Sequence, residues 1–368
     1  MKNIALGSMA SILVDDMIYF SESGFNGFFC YNLRDNTTRH ICDFDYVSPT
    51  AQTLHRQAFR YGNLIILNPL YDKFLRVYDI TSKSMLSFPL LGEDDIQYIY
   101  CGIIHDDSVW LVDNKATAIC FDLKTFKFSS CLELTNAIAD LHEEKITDLF
   151  WDENKLFCLT DSFCGFFEIV YEAGAFKSTK YCLDKDYGTL SKVKVINQRY
   201  WLLFKNHYYI IEWDGKEYYK SYRLEEDISD MNAYIPYDNF YKVGNEIMVT
   251  SYYGKNIFYL KDAIINEIEL SNLDKDYKVL NCLSYSPCFG QMHQIEDGYY
   301  LIFPNRNNRM IEITAGNHEI RTRVLTYKAS SFIRFIADAN EKGIVFHENE
   351  NTGLEDIIAY LVNPEQEC

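Results

Sequence analysis

The run Leu64-Ile65-Ile66-Leu67, followed after a polar loop by Leu75-Arg76-Val77-Tyr78-Asp79-Ile80-Thr81, decides the fold. Each half is an apolar run of strand length, and the segment from Asn68 to Lys73 between them is too short for a helix. After the second run, Asp79, Thr81 and Ser82 offer side chains that bond their own backbone and favour a tight bend. The same pair of runs recurs. Ile18-Tyr19-Phe20 leads to Phe28-Phe29-Cys30-Tyr31, and Val109-Trp110-Leu111-Val112 leads to Ala118-Ile119-Cys120-Phe121. Leu156-Phe157-Cys158-Leu159, Tyr200-Trp201-Leu202-Leu203, Ile247-Met248-Val249-Thr250 and Tyr300-Leu301-Ile302-Phe303 each open another pair, and Ile344-Val345-Phe346 opens the last. The eight hairpins recur at intervals of roughly 42 to 53 residues, the period of propeller blades.

Each unit also has an earlier strand, closed by a polar turn such as Asp15-Asp16, Gly62-Asn63 or Asp106-Asp107, and a later strand such as Phe126 to Leu132. The expected fold is all-β: a single β-propeller of about eight four-stranded antiparallel blades, with seven as the alternative if one unit is an insertion. The units run 9–44, 51–90, 97–133, 146–183, 190–224, 238–270, 289–327 and 330–363. Residues 2–7 are expected to be the outer strand of the last blade, closing the ring and covering its open edge.

The repeat resembles a degenerate kelch-type or related bacterial β-propeller across nearly the whole chain. The resemblance rests on an apolar second strand and a third strand ending in Tyr-Asp or Phe-Asp with a Thr shortly after, as in Val77-Tyr78-Asp79-Ile80-Thr81 and Cys120-Phe121-Asp122-Leu123-Lys124-Thr125. The kelch Gly-Gly doublet, a regular Trp, and the Gly-His and Trp-Asp signature of WD repeats are absent. The resemblance therefore implies a fold and no specific activity.

Among the 368 residues, 53 acidic side chains outnumber 35 basic ones, for a net charge of −18. Such a surface repels nucleic-acid phosphates and anionic membranes, so neither is expected as a partner. The 29 Tyr and 25 Phe suit pleated, half-buried surfaces. No stretch approaches the roughly 18 apolar residues of a membrane span, and no apolar run near Met1 is long enough for a signal peptide. The 11 Cys are odd in number and lack close pairs. A cytoplasmic monomer with free, buried thiols is expected.

No phosphate-cradling glycine loop, nucleophile elbow, zinc-protease helix or EF-hand loop is present. Catalytic residues are not legible, and no metal or cofactor is expected. Function is expected at the end of the ring where the loops between second and third strands meet the connections between blades. The candidate ligand-binding residues there are His55, Arg56, Tyr71, Tyr252, Tyr253, His293, Arg306, Arg309, Arg334 and His347. Guanidinium forks and tyrosine hydroxyls suit carboxylate, phosphate or sugar hydroxyl groups. The expected function is noncatalytic recognition of a protein, peptide or sugar-like small ligand. The alternative is a carbohydrate-active or other small-molecule enzyme using the axial pocket.

Overall fold

The computed structural model describes residues 3–22, 27–44, 53–90, 99–138, 141–142, 144, 146–183, 187–205, 207–217, 219–223, 237–261, 264–279, 287–316, 319–328 and 331. A short strand β1 (Asn3–Ala5) precedes the first blade, β2 (Ala10–Val14), β3 (Met17–Ser21), β4 (Gly27–Asn32) and β5 (Thr37–Asp43). The second blade is β6 (His55–Tyr61), β7 (Leu64–Pro69), β8 (Phe74–Asp79) and β9 (Ser84–Pro89). The third is β10 (Ile99–His105), β11 (Ser108–Asp113), β12 (Thr117–Asp122) and β13 (Lys127–Glu133), followed by a helical turn α1 (Leu134–Ala137). The fourth is β14 (Ile146–Asp152), β15 (Lys155–Thr160), β16 (Gly165–Glu172) and β17 (Ala175–Cys182). The fifth is β18 (Leu190–Ile196), β19 (Arg199–Phe204), β20 (Tyr209–Trp213) and β21 (Tyr219–Arg223). The sixth is β22 (Tyr237–Val243), β23 (Glu246–Ser251), β24 (Asn256–Lys261) and β25 (Ile264–Glu269), with a second helical turn α2 (Leu270–Leu273). The seventh is β26 (Phe289–Glu296), β27 (Tyr299–Pro304), β28 (Arg309–Thr314) and β29 (Glu319–Val324), and β30 (Thr326–Lys328) follows it.

Each blade is a four-stranded sheet with its strands in sequence order. The middle two strands are the apolar runs read from the sequence, and they are almost wholly buried. One end of the blade is fixed by side chains of the turn between third and fourth strands. Asp79 Oδ1 accepts the Thr81 amide at 2.8 Å, and Asp122 Oδ1 accepts the Lys124 amide at 2.9 Å. The next apolar residue then ties that turn to the first one: Ile80 N donates to Asn63 O at 2.9 Å, and Leu123 N to Asp107 O at 2.8 Å. In the first blade Leu33 N does the same to Asp16 O, which makes Asn32, and not Asp35, the counterpart of Asp79.

The blades fall into two compact units, each with its own cores. Residues 1–89, 253–255 and 269–368 hold the seventh, first and second blades; residues 90–252 and 256–268 hold the third to sixth. In the former, Leu6, Phe20, Phe29, Leu301, Phe303, Met310 and Leu325 form one buried cluster. In the latter, one cluster joins the third and fourth blades, a second the fourth and fifth, and a third the fifth and sixth.

Seven four-stranded sheets are present among the described residues, the smaller of the two counts the sequence allowed. The unit expected at 330–363 lies outside the described residues, apart from Ser331. The seventh blade and the first touch directly: Ser11 Oγ lies 2.8 Å from His293 Nε2, and Ser8 N donates to Pro304 O at 2.8 Å. The N-terminal strand also pairs differently from expectation. It runs antiparallel to β30, Asn3 opposite Lys328, immediately after the seventh blade. Burial explains this choice, since the residues that flank the pairing, Leu6 after β1 and Leu325 before β30, enter the aromatic cluster of the first and seventh blades.

Candidate functional site

The first strand of six blades carries the same irregularity. Pairing with the second strand skips a residue between His55 and Gln57, Ile99 and Cys101, Ile146 and Asp148, Leu190 and Lys192, and Tyr237 and Asn239. It skips again between Phe289 and Met292. Only β2 runs in register here, with Ser11 opposite Phe20. A bulge of this kind breaks the alternation of the strand and re-aims the extra side chain. The extra residues are Arg56, Tyr100, Thr147, Ser191 and Asp238, with Gly290 and Gln291 in the seventh blade. Arg56, Tyr100, Thr147, Ser191, Asp238 and Gln291 are all half-buried. The apolar neighbours Ile99, Leu190, Tyr237 and Phe289 are buried, so four of the bulges hold a polar group at the edge of an apolar layer.

The loops between second and third strands close on the same end. Leu70 N, Tyr71 N and Asp72 N all approach Leu54 O, at 2.7, 3.2 and 3.3 Å, just before β6 begins. Lys205 N donates to Thr189 O at 2.8 Å before β18, and Asn305 N and Arg306 N to Cys288 O at 3.1 and 3.0 Å before β26. The helical turns add two more ties, Leu134 N to Ala116 O at 2.9 Å and Leu270 N to Lys255 O at 3.0 Å.

Several of the residues anticipated for ligand binding are engaged within the protein. His55 is buried, with Nδ1 2.7 Å from Ser21 Oγ and Nε2 3.3 Å from Asp72 Oδ2. Asp72 in turn receives Arg76 Nε at 2.7 Å, and the Arg76 guanidinium carbon lies 5.3 Å from the Phe44 ring centre and 4.9 Å from that of Phe74. Burial holds His55 below the usual imidazole range, against the pull of Asp72. Burial pushes the Asp72 carboxyl up, but the His55 contact and the Arg76 charge outweigh it and keep the group ionised. His293 is buried against Ser11, and that burial pushes it down to about 4. Arg309 Nε donates to Asp274 Oδ2 at 2.8 Å, an oxygen that also receives Thr322 Oγ1 at 2.7 Å. Arg306 is buried, Tyr252 and Tyr253 are half-buried, and Arg56 is the bulge residue of β6. Tyr71 is 42% exposed, at the tip of the loop held on Leu54. Arg334 and His347 lie outside the described residues.

Six bulge residues escaped the sequence reading: Tyr100, Thr147, Ser191, Asp238, Gly290 and Gln291. For Thr147, Ser191 and Asp238 the signal is a pair of successive polar residues between apolar ones, as in Ile146-Thr147-Asp148-Leu149 and Tyr237-Asp238-Asn239-Phe240. The residue after the bulge has a local task in two blades: Asp148 Oδ1 accepts Leu149 N at 2.8 Å, and Asn239 Oδ1 accepts Phe240 N at 2.9 Å. On β18, Lys194 Nζ donates to Phe240 O at 3.1 Å, and burial drives its amine below the usual lysine range. Among the described residues no group of three or more His, Cys, Asp and Glu gathers as a metal site.

No protein-family model, kelch or other, matches the chain, and no curated protein sequence matches it significantly. Solved structures do. A catalytically inactive His-to-Ala form of virginiamycin B lyase from Staphylococcus aureus, with quinupristin, is 11% identical at a TM-score of 0.59, covering 83% of this chain and 96% of its own. A streptogramin B lyase is 11% identical at a TM-score of 0.55, covering 87% and 98%. PorZ, an essential bacterial surface component of the type-IX secretion system of Porphyromonas gingivalis, is 8% identical at a TM-score of 0.55. The chain spans only 38% of PorZ, with 87% of its own length. Likeness at this level of identity defines the fold, a β-propeller, here with seven four-stranded blades.

Proposed function

We propose that the protein is a noncatalytic recognition propeller, binding a small ligand or a peptide segment at the end of the blades where the bulged first strands meet the loops. The observation that carries this reading is the bulge repeated at one register in six blades, with a half-buried polar side chain at each. A feature that recurs so regularly at the cost of ladder pairing is a device for presenting side chains. The ionisable groups nearby support recognition over acid–base chemistry. Ser21, His55 and Asp72 have the spacing of a hydrolytic triad, yet all three are buried, and Asp72 is shared with Arg76. Rigid loops that display groups such as Tyr71 bind with little ordering cost.

The test is a screen of the purified chain on glycan and peptide arrays, repeated with the triple substitution Tyr100→Ala, Thr147→Ala and Asp238→Ala, all within one compact unit. Loss of about tenfold or more in affinity for the bound array members, with circular dichroism unchanged, is expected. Binding that survives the triple substitution would place recognition elsewhere.

A further inference from the structure

Two of the bulges differ from the rest. In the neighbouring fourth and fifth blades the extra residues are Thr147 and Ser191, and their hydroxyl oxygens are wholly buried without a hydrogen-bond partner among the described residues. Thr160, opposite Ile146 at the end of β15, is fully buried with its hydroxyl in the same condition. By contrast Tyr100 and Asp238, the bulge residues of the blades on either side, do have interactions within the protein. Lys192 follows Ser191, is half-buried, and has no carboxylate within 4.0 Å among the described residues; its ammonium faces the Phe150 ring of the fourth blade at 4.6 Å.

A buried hydroxyl without a partner loses its water and gains nothing in exchange, so Val or Ala would serve the fold better at these positions. Each hydroxyl is able to donate, and an ammonium only donates. What is missing is therefore an acceptor, and beside a cation the acceptor of choice is an anionic oxygen. The next acids, Asp148 on β14 and Asp238 on β22, disfavour a multiply charged anion such as phosphate. We propose that Thr147, Ser191 and Lys192 hold the carboxylate of a small monocarboxylic acid. This assignment rests on the recognition reading above and names its ligand class.

Saturation-transfer NMR on the full chain, with acetate and N-acetylglycine as probes and N-acetylglycinamide as the neutral control, tests it. The two acids should bind and compete with each other, and the amide should not bind. Lys192→Met should weaken acid binding about tenfold. The pair Thr147→Val and Ser191→Ala should weaken it about fivefold and, because unpartnered hydroxyls are removed, should raise the thermal midpoint of the ligand-free protein. Equal binding of amide and acid, no binding of either acid, or unchanged affinity in Lys192→Met would overturn the assignment. So would a lowered midpoint with acid binding intact, since the hydroxyls would then be satisfied by bound water only. If array ligands bind and respond to the bulge substitutions while the acids do not bind, the assignment alone fails. If the bulge substitutions are silent as well, the recognition reading falls with it.

Discussion

His293 lies on β26 with Nε2 2.8 Å from Ser11 Oγ of the first blade, and burial pushes its pKa down from 6.5 to about 4. A histidine held neutral in the folded protein takes up a proton on unfolding once the pH drops below its free value. Between about pH 6.5 and 4 the unfolded chain therefore binds more protons, and stability falls as pH falls through that window. By pH 5 this one group accounts for a loss of about 2 kcal/mol. His55, also lowered by burial, acts in the same direction. His293→Gln keeps a hydrogen-bonding side chain near Ser11 and removes the titration. Its unfolding free energy, from urea titrations at about pH 7 and pH 5, should show a difference between the two pH values smaller by about 2 kcal/mol than in the parent. Equal differences in the two proteins would mean that the imidazole titrates freely in the folded state.

The turn between first and second strands is two residues long in all seven blades, and in six its first residue has positive φ: Asp15, Gly62, Asp106, Glu153, Asn197 and Gly244, between 51° and 61°. These are hairpin turns whose backbone twist matches that of the strands. Glycine and Asn or Asp tolerate the left-handed region; Glu153 in the fourth blade does so least well. Glu153→Gly should therefore stabilise the protein by about 1 kcal/mol, after the entropy glycine adds to the unfolded chain. A lowered melting midpoint would show that the Glu153 side chain contributes more than its backbone costs. These turns and the apolar pairs they join were legible because each signal is local: a short apolar run, then Gly, Asn or Asp. The bulges were not, because an extra residue such as Ser191 in Leu190-Ser191-Lys192-Val193 shows only in how the strand pairs with its neighbour, and Arg56 read as a connecting segment although it belongs to β6. A second echo also went unread. Glu133-Leu134-Thr135-Asn136 and Glu269-Leu270-Ser271-Asn272 form the two equivalent helical turns, each burying its Leu. The roles of His55 and Arg309 were beyond local reading altogether, since their partners Ser21 and Asp274 come from distant segments.

At the scale of the molecule, the number of blades is a question of which blades touch, and periodicity cannot answer it. Ile344-Val345-Phe346 fits the hairpin pattern as well as any earlier run, yet the first blade meets the seventh through Ser11 and His293. That meeting is close-packed. Gly290 on β26 lies so near the N-terminal segment that a Cβ built there would stand 2.2 Å from the Ser8 carbonyl oxygen, and Gly7 is pressed likewise on the Asn305 carbonyl. Both obstacles are backbone, which cannot rotate away, so Gly290→Ala must part the two blades or distort the bulge of β26. Where the damage spreads depends on cooperativity. A propeller is a repeat array in which each blade is stabilised mainly by its neighbours, and this chain has two compact units with separate cores. Amide hydrogen exchange read by mass spectrometry on Gly290→Ala should show lost protection in β2–β5 and β26–β29, with β10–β21 exchanging as in the parent. Protection lost evenly over all seven blades would mean that the sheets open as one cooperative body, and that the contact between the seventh and first blades governs the stability of the whole chain.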